Sequence, residues 1–248
     1  MNPMILAYIL IFTTIGSLFS LVGSLFLLLK KQVTENFANF LISFAAGALI
    51  ATAFLDLLPE ANKLAEGKNI FSAVMLGFLS FFFSERYIRL FHYHHGHGEK
   101  PSTYLVLIGD GIHNFVDGVT IAVAFLTSVP LGITTSIAVA AHEIPQEIAD
   151  MGVLLANGLS KTKALFYNFL SALTALTGAI LAFFLVSQIN QYLYFFLAMA
   201  AGHFIYIAAS DLIPEIHEDL GKKKGLETII VFIIGILAIF AFTSVFEP

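Results

Sequence analysis

Long apolar runs separated by short polar connections dominate this sequence. Each run holds about 20 residues, enough for a helix to cross a hydrocarbon core of about 30 Å. The pattern predicts eight spans, at residues 4–29, 38–59, 70–90, 104–126, 131–155, 164–186, 192–214 and 228–246. A membrane barrel would instead alternate apolar and polar residues over strands of about ten positions. That alternation is missing from the sequence, so we expect an all-α polytopic membrane protein.

The composition strengthens this interpretation. Hydrophobic residues make up 58% of the chain and charged residues only 12%, whereas a soluble domain has about 25% charged residues. No polar block is long enough to form a separate soluble domain, so residues 1–248 are expected to form a single transmembrane domain. The chain has no cysteine, which excludes thiolate metal sites and disulfides. The net charge of −5 identifies no partner, and nothing in the sequence indicates nucleic-acid binding.

The positive charges predict an orientation. Ten of the twelve Lys and Arg residues fall in one set of alternating connections, and only Lys63 and Lys68 fall in the other. Because basic loops stay on the cytoplasmic side, both termini are expected outside. The protein would lie in the plasma (inner) membrane, with residues 91–101 in a cytoplasmic loop.

That loop contains four histidines, at His92, His94, His95 and His97. A histidine-rich tract favours transient metal binding. A solvated polar loop without a selected affinity is the equal alternative, because imidazoles on any flexible loop bind metals to some degree.

An internal repeat links two distant parts of the chain. Ala-Ala-Gly at 45–47 is followed nine residues later by Asp-Leu-Leu-Pro-Glu at 56–60, and the same spacing separates 200–202 from Asp-Leu-Ile-Pro-Glu at 211–215. The charge pattern makes the chain cross the membrane in opposite directions at the two copies. This favours an inverted repeat in a 3+2+3 arrangement, a feature of many secondary transporters.

The two central spans carry the chemistry of the sequence, within residues 102–158. They meet at a turn near 127–130, and each holds metal-ligand residue types near its middle. The candidate ligands are His113, Asn114 and Asp117 on the first span, and His142, Glu143, Gln146 and Glu147 on the second. Spacings of four residues place pairs of these side chains on one helical face. Pro145 lies between them and favours a kink, because it removes one backbone hydrogen bond.

Three carboxylates deep in the membrane require compensation. A charged side chain at the bilayer centre costs about 2.5–3.5 kcal/mol on the insertion scale, and neither central span contains Lys or Arg. The compensation is a proton, a water-filled path or a cation. Two histidines beside three carboxylates suit a divalent first-row metal, with zinc as the first choice. A proton relay, or polar residues that only hold helices together, are the alternatives.

Several other polar residues are weaker candidates. His203 lies inside the seventh span and is interpreted either as part of the path or as a satisfied interior histidine. Asp56 and Asp211 begin the repeated motifs near helix ends, where an exposed carboxylate costs little, so we expect entrance or exit groups there. Asp110 and Asp150 flank the central clusters and would widen the polar track.

These features resemble the ZIP (Zrt/Irt-like) family of metal transporters, in the compact form typical of prokaryotic members. The specific motifs are HNFVDG at 113–118 and HEIPQE at 142–147. The resemblance implies uptake of zinc, or of iron, manganese or cadmium, toward the cytoplasm. It also implies a mononuclear or binuclear site between the fourth and fifth helices. No catalytic cofactor is implied.

By this resemblance, two subsites share one carboxylate. His113, Asp117 and His142 would form the first, with Gln146 nearby, and Asn114, Asp117 and Glu143 the second. Many eukaryotic members have histidine at the position of Gln146, and some add a carboxylate from the sixth helix, which residues 166–186 do not offer. The second subsite is therefore expected to be weaker.

Other functions remain open at this point. A metal-selective channel would use the same residues as a carrier. An intramembrane zinc hydrolase would use His142 and Glu143 as the start of an HExxH motif, although Gln146 stands where that motif needs its second histidine. We expect no enzyme. The expected partners are divalent ions and the lipid bilayer, with homodimer formation left open.

Overall fold

The structure is a computed structural model that describes residues 2–29, 35–92, 101–156, 158–217 and 222–246. Within these ranges the chain is almost entirely helical and contains no strand. The prediction of an all-α protein is therefore confirmed.

The helices follow the apolar runs. The helical elements are α1 (Pro3–Leu29), α2 (Glu35–Ala51), α3 (Leu58–Leu64), α4 (Phe71–His92), α5 (Pro101–Thr127), α6 (Val129–Ala156), α7 (Lys161–Phe184), α8 (Val186–Ile189), α9 (Leu193–Ile207), α10 (Ile213–His217) and α11 (Lys222–Phe246). Two π-helical turns, Thr52–Leu57 and Ala208–Leu212, join α2 to α3 and α9 to α10. A 3₁₀ turn at Asn190–Tyr192 follows α8.

Five helical stretches in the described ranges are long and apolar enough to cross a membrane. They are Pro3–Val22, Asn39–Leu64, Lys161–Phe184, Asn190–Leu212 and Gly225–Val245. The central helices α5 and α6 are not among them, because polar side chains near their middles lower the mean hydropathy. The chain is a membrane protein by these helices.

The two copies of the repeated motif have the same local structure. In each copy a π-helical turn precedes the proline, and Pro59 and Pro214 occupy the second position of the next helix, α3 or α10. The helical stretch extends past the predicted end of the second span at Pro59, as far as Leu64. Proline has no N–H to bond the preceding turn of a continuing helix, and a π turn just before it shifts the hydrogen-bonding register of the backbone carbonyls.

The motif glycines also pack alike. A Cβ atom added to Gly47 of α2 would lie 2.1 Å from the carbonyl oxygen of Phe232 on α11, and one added to Gly202 of α9 would lie 2.1 Å from that of Val74 on α4. Helix pairs that approach so closely need small residues at the contact. The pairs α2–α11 and α4–α9 are therefore built on the same principle.

The helices form two groups. In the first, α5 packs along α7 and α6 packs along α1, while α5 and α6 also contact each other. In the second, α2 packs along α11 and α4 packs along α9. The polar middles of α5 and α6 lie between the groups, where α6 meets α2 and α5 meets α4 and α9.

Candidate metal centre

A very tight turn sets the relative position of α5 and α6. Only Ser128 separates the two helices, and its hydroxyl oxygen accepts a hydrogen bond from the backbone N–H of Leu131 at 3.2 Å. Such a helix-capping contact satisfies a donor that the first turn leaves unpaired. The two helices therefore run antiparallel from a fixed point, which brings residues at equal distances from the turn to similar depth.

Four of the sequence-predicted residues converge between these helices. His113, Asp117, His142 and Glu143 each offer one ligand atom, and the four atoms lie within 4.8 Å of one another. Asp117, His142 and Glu143 are each no more than 2% exposed, and His113 is partly buried. The cluster is therefore almost entirely shielded from solvent.

The distances inside the cluster match a small cation. His142 Nε2 lies 3.0 Å from Asp117 Oδ2 and 3.7 Å from Glu143 Oε1. His113 Nε2 lies 3.7 Å from Asp117 Oδ2 and 3.5 Å from Glu143 Oε1. Ligand atoms about 2.0–2.1 Å from a tetrahedral zinc ion would stand about 3.3 Å apart. The geometry of the four side chains therefore fits one such ion.

A hydrogen bond to the backbone determines which ring nitrogen of His142 faces the cluster. Its Nδ1 lies 3.1 Å from the backbone oxygen of Ala138, and a carbonyl can only accept a hydrogen bond. Nδ1 therefore donates to this carbonyl, and the neutral form of the ring presents its Nε2 lone pair to the cluster. Ligating histidines are commonly oriented by a backbone carbonyl in this manner.

Three carboxylate oxygens of the cluster have no hydrogen-bond donor within the described ranges. Asp117 Oδ2 and both carboxylate oxygens of Glu143 are buried and have no hydrogen-bond partner among the described residues. Buried acceptors are normally satisfied, and leaving one unpaired costs about 1–3 kcal/mol. A bound cation would supply the missing partner for Asp117 Oδ2 and for one carboxylate oxygen of Glu143.

The other predicted ligands lie beside the cluster and have partners of their own. The amide nitrogen of Asn114 donates to Asp110 Oδ1 at 2.9 Å, and that of Gln146 donates to the same oxygen at 3.3 Å. Glu147 Oε2 accepts a hydrogen bond of 2.7 Å from Asn168 of α7. The contacts of Asn114 and Gln146 meet at Asp110, which the sequence had suggested only as a flanking residue.

The remaining candidates lie apart from the four-residue cluster. The expectation of an exposed carboxylate at Asp56 is wrong: the residue is 2% exposed, and Thr243 of α11 donates to its Oδ1 at 2.7 Å. The π-helical turn places Asp56 in the packed interior rather than at a helix end. Asp211 is exposed and accepts a hydrogen bond from Ser210 at 3.1 Å. Asp150 is partly buried on α6.

The loop histidines cannot be compared with their prediction. His92 is the last residue of α4, while His94, His95 and His97 lie outside the described residues. His203 is 4% exposed and contacts Phe81, which in turn contacts His113. Sequence reasoning missed Phe81 and Asn168. The isolated Asn168 in an apolar run was a usable indication, whereas Phe81 had none among 26 phenylalanines.

Comparison with known proteins decides the family. The family described as ZIP Zinc transporter matches residues 3–104 and 91–243 of the chain. The chain belongs to the ZIP zinc transporter family. Individual ZIP proteins give the same result over the part of the chain that they match. Zinc transporter ZIP10 of Danio rerio is 39% identical over 135 residues, which cover 52% of this chain and 16% of the relative.

Two further ZIP relatives have related names. Zinc transporter foi of Drosophila melanogaster is 37% identical over 137 residues, covering 54% of this chain and 19% of the relative. Metal cation symporter ZIP14 of Xenopus tropicalis is 42% identical over 115 residues, covering 46% of this chain and 24% of the relative. The chain thus matches only about a sixth to a quarter of the length of these proteins. The expectation of a prokaryotic ZIP type is not borne out, because these relatives are animal proteins.

Proposed function

We propose that this ZIP family member transports divalent metal ions, with zinc as the principal cargo, from outside toward the cytoplasm. One observation carries the proposal: two imidazoles and two carboxylates offer ligand atoms within 4.8 Å of one another between α5 and α6. The names of the relatives support zinc or another metal cation as the cargo.

The charge of the cluster supports one ion as the main occupant. Asp117 and Glu143 contribute two negative charges, and an imidazole that ligates an ion does so in its neutral form, for which His142 can keep its proton on Nδ1 beside Ala138. One divalent cation therefore neutralises the cluster in a region where uncompensated charge is costly. Zinc prefers nitrogen and oxygen ligands in tetrahedral geometry, while iron, manganese and cadmium remain alternatives.

A second ion would occupy the weaker position implied by the family resemblance, formed by Asn114, Asp117 and Glu143. The amide nitrogen of Asn114 is held by Asp110, which leaves its carbonyl oxygen for the ion. Gln146 and Glu147 would adjust this position through Asp110 and Asn168 rather than bind the first ion directly. The site is therefore mononuclear at rest and binuclear during passage.

The proposed topology has eight crossings in a 3+2+3 inverted repeat, with both termini outside the plasma (inner) membrane. The matching π-helical turns and glycine contacts of the two motif copies support the repeat. The mirrored helices would move around the central site so that it opens to one side at a time. The histidines within residues 91–101 would receive the ion in the cytoplasm.

Two other functions are less well supported. A channel would use the same ligands, but a nearly solvent-free cluster favours a carrier that binds one ion and then changes conformation. A zinc hydrolase would need a second histidine at Gln146, whose amide instead donates to Asp110. We therefore propose a carrier without enzymatic activity. Whether two copies form a homodimer does not affect this mechanism.

Purified protein in liposomes that contain a metal-sensitive dye tests the proposal. External zinc is expected to produce a saturable signal with the wild-type protein and no signal above background with His142→Ala or Glu143→Ala. Ser136→Ala is the matched control, because Ser136 is also buried on α6 and its hydroxyl donates to the backbone carbonyl of Gly132, away from the cluster residues. Wild-type flux in either cluster variant would refute the assignment, and flux that never saturates would favour the channel.

A further inference from the structure

His203 has a hydrogen-bonding arrangement that a purely structural role does not explain. Its Nε2 lies 3.0 Å from the hydroxyl oxygen of Ser80 on α4. The same hydroxyl donates its only proton to the backbone oxygen of Gly77 at 2.8 Å, because a carbonyl can only accept. Nε2 of His203 must therefore be the donor to Ser80, and it carries the proton of the neutral ring.

The other ring nitrogen, Nδ1, therefore has a lone pair that can accept a hydrogen bond or bind a cation. Nδ1 of His203 is buried and has no hydrogen-bond partner in the part of the chain that the structure describes. The arrangement is the mirror of His142, in which Nδ1 donates to Ala138 and Nε2 faces the cluster. In both residues one nitrogen is anchored as a donor and the other is prepared to bind a cation.

A single aromatic ring, that of Phe81, contacts both His203 and a residue of the metal cluster. The ring centre of Phe81 lies 5.1 Å from that of His113 and 4.6 Å from that of His203. His203 is also close enough to Asp117 for the charges of the two groups to interact. His203 is therefore a near neighbour of the cluster and shares a packing partner with His113.

We propose that His203 is an additional metal ligand, and that it forms a transient position for the divalent ion beside Phe81, next to the His113–Asp117–His142–Glu143 cluster. This inference rests on the proposed transport function and identifies a further station on the same path. With one imidazole and no carboxylate of its own, the position binds weakly. Weak binding suits an ion that must leave again.

The first test separates passage from binding. His203→Ala is expected to lower the initial rate of zinc flux into dye-loaded liposomes about tenfold, the scale seen when a metal-site partner is removed. The dissociation constant of the first zinc ion should change by less than about twofold, because His203 is not a ligand of the first site. Wild-type flux in His203→Ala would overturn the proposal. Loss of first-ion binding would also overturn it, because His203 would then act through the central cluster.

The second test detects the ligand itself and does not depend on flux. The natural chain contains no cysteine, so His203→Cys introduces a single thiol. Thiolates bind soft divalent ions directly, and titration with Cd²⁺ is expected to produce a thiolate-to-cadmium absorption band in this variant. Ala198→Cys is the matched control, since Ala198 lies on the same helix and is fully buried in the apolar core. The control should give no band.

The outcomes distinguish this inference from the proposed function. If wild-type protein moves zinc but His203→Cys gives no cadmium band, only the role of His203 is overturned. If wild-type protein neither binds nor moves the ion, the transport proposal itself fails, and the role of His203 fails with it. Circular dichroism of each variant in detergent checks that its helices are retained.

Discussion

His113 and His142 face each other through their Nε2 atoms at 3.1 Å. In the neutral ring of His142, whose Nδ1 donates to Ala138, Nε2 is an acceptor, and Asp117 Oδ2 adds another acceptor at 3.0 Å. A proton on His113 Nε2 can be donated to one of these neighbouring acceptor atoms and leaves the others unpaired. The four side chains are thus mutually repulsive unless a positive charge lies between them, and their contributions to ion binding should be coupled.

This coupling predicts a non-additive double mutant. His113→Ala and His142→Ala are each expected to weaken zinc binding more than about 100-fold, since each removes a direct ligand. The double variant should bind scarcely more weakly than either single one, because the remaining ligands no longer define a site. Zinc titration of detergent-solubilised protein measures the three dissociation constants. Losses that multiply would show that the two imidazoles act independently.

Glu143 is predicted to stabilise the protein when the ion is bound and to destabilise it when the ion is absent. Both of its oxygens are buried without a hydrogen-bond partner in the described ranges. Glu143→Gln should raise the thermal midpoint of the ion-free protein by about 2–4 °C, equivalent to about 1 kcal/mol. It should also abolish the further rise that zinc gives the wild type.

Thermal unfolding, monitored by circular dichroism with and without zinc, tests both effects. Glu66→Gln removes an exposed acid and controls for the general loss of one negative charge. A zinc-induced rise of wild-type size in Glu143→Gln would contradict the role of this carboxylate.

The contact between Glu147 and Asn168 is predicted to be structural. Both residues are fully buried, and the hydrogen bond between them joins α6 to α7. Asn168→Ala should lower the free energy of unfolding by about 1–3 kcal/mol, because a buried carboxylate loses a donor. Zinc binding at the central cluster should change by less than about twofold. The control is Asn190→Ala at an exposed position. A strong loss of zinc affinity in Asn168→Ala would instead make Glu147 part of the first site.

Substitution of a tightly packed glycine of the repeated motif and of an uncrowded glycine elsewhere should affect stability differently. Gly202→Ala would place a Cβ atom 2.1 Å from the carbonyl oxygen of Val74, and we expect a loss of about 1–3 kcal/mol in stability from overpacking. Gly152 has nothing within 4 Å of an added Cβ. Gly152→Ala should therefore be neutral or stabilising by up to about 1 kcal/mol. Thermal midpoints of the two variants measure the difference, and equal midpoints would argue against the close α4–α9 contact.

The helices and the ligand-bearing residues were predictable because short stretches of sequence determine them. Apolar runs of sufficient length leave the backbone no other way to satisfy its hydrogen bonds in lipid. His113 and Asp117 lie four residues apart, so they share a face of any helix. Convergence of the two helices required only that the turn near 127–130 be short, and Ser128 alone forms it.

Other features of the site depend on how the helices are rotated about their axes and packed together, which no single segment of sequence determines. Spacing alone did not separate Glu143, whose side chain joins the cluster, from Glu147, which turns to Asn168. The burial of Asp56 follows from a π-helical turn and a partner 187 positions away, Thr243. The role of Phe81 depends on the distance between its ring and two histidines on other helices.

The single-residue connection between the ligand-bearing helices also limits how this gene can vary. Surface turns usually tolerate gain or loss of residues, but here each added or deleted position would rotate one helix by about 100° against the other. We therefore expect alignments of close homologues to be free of indels at Ser128, in contrast to the freely varying lengths expected within residues 93–100.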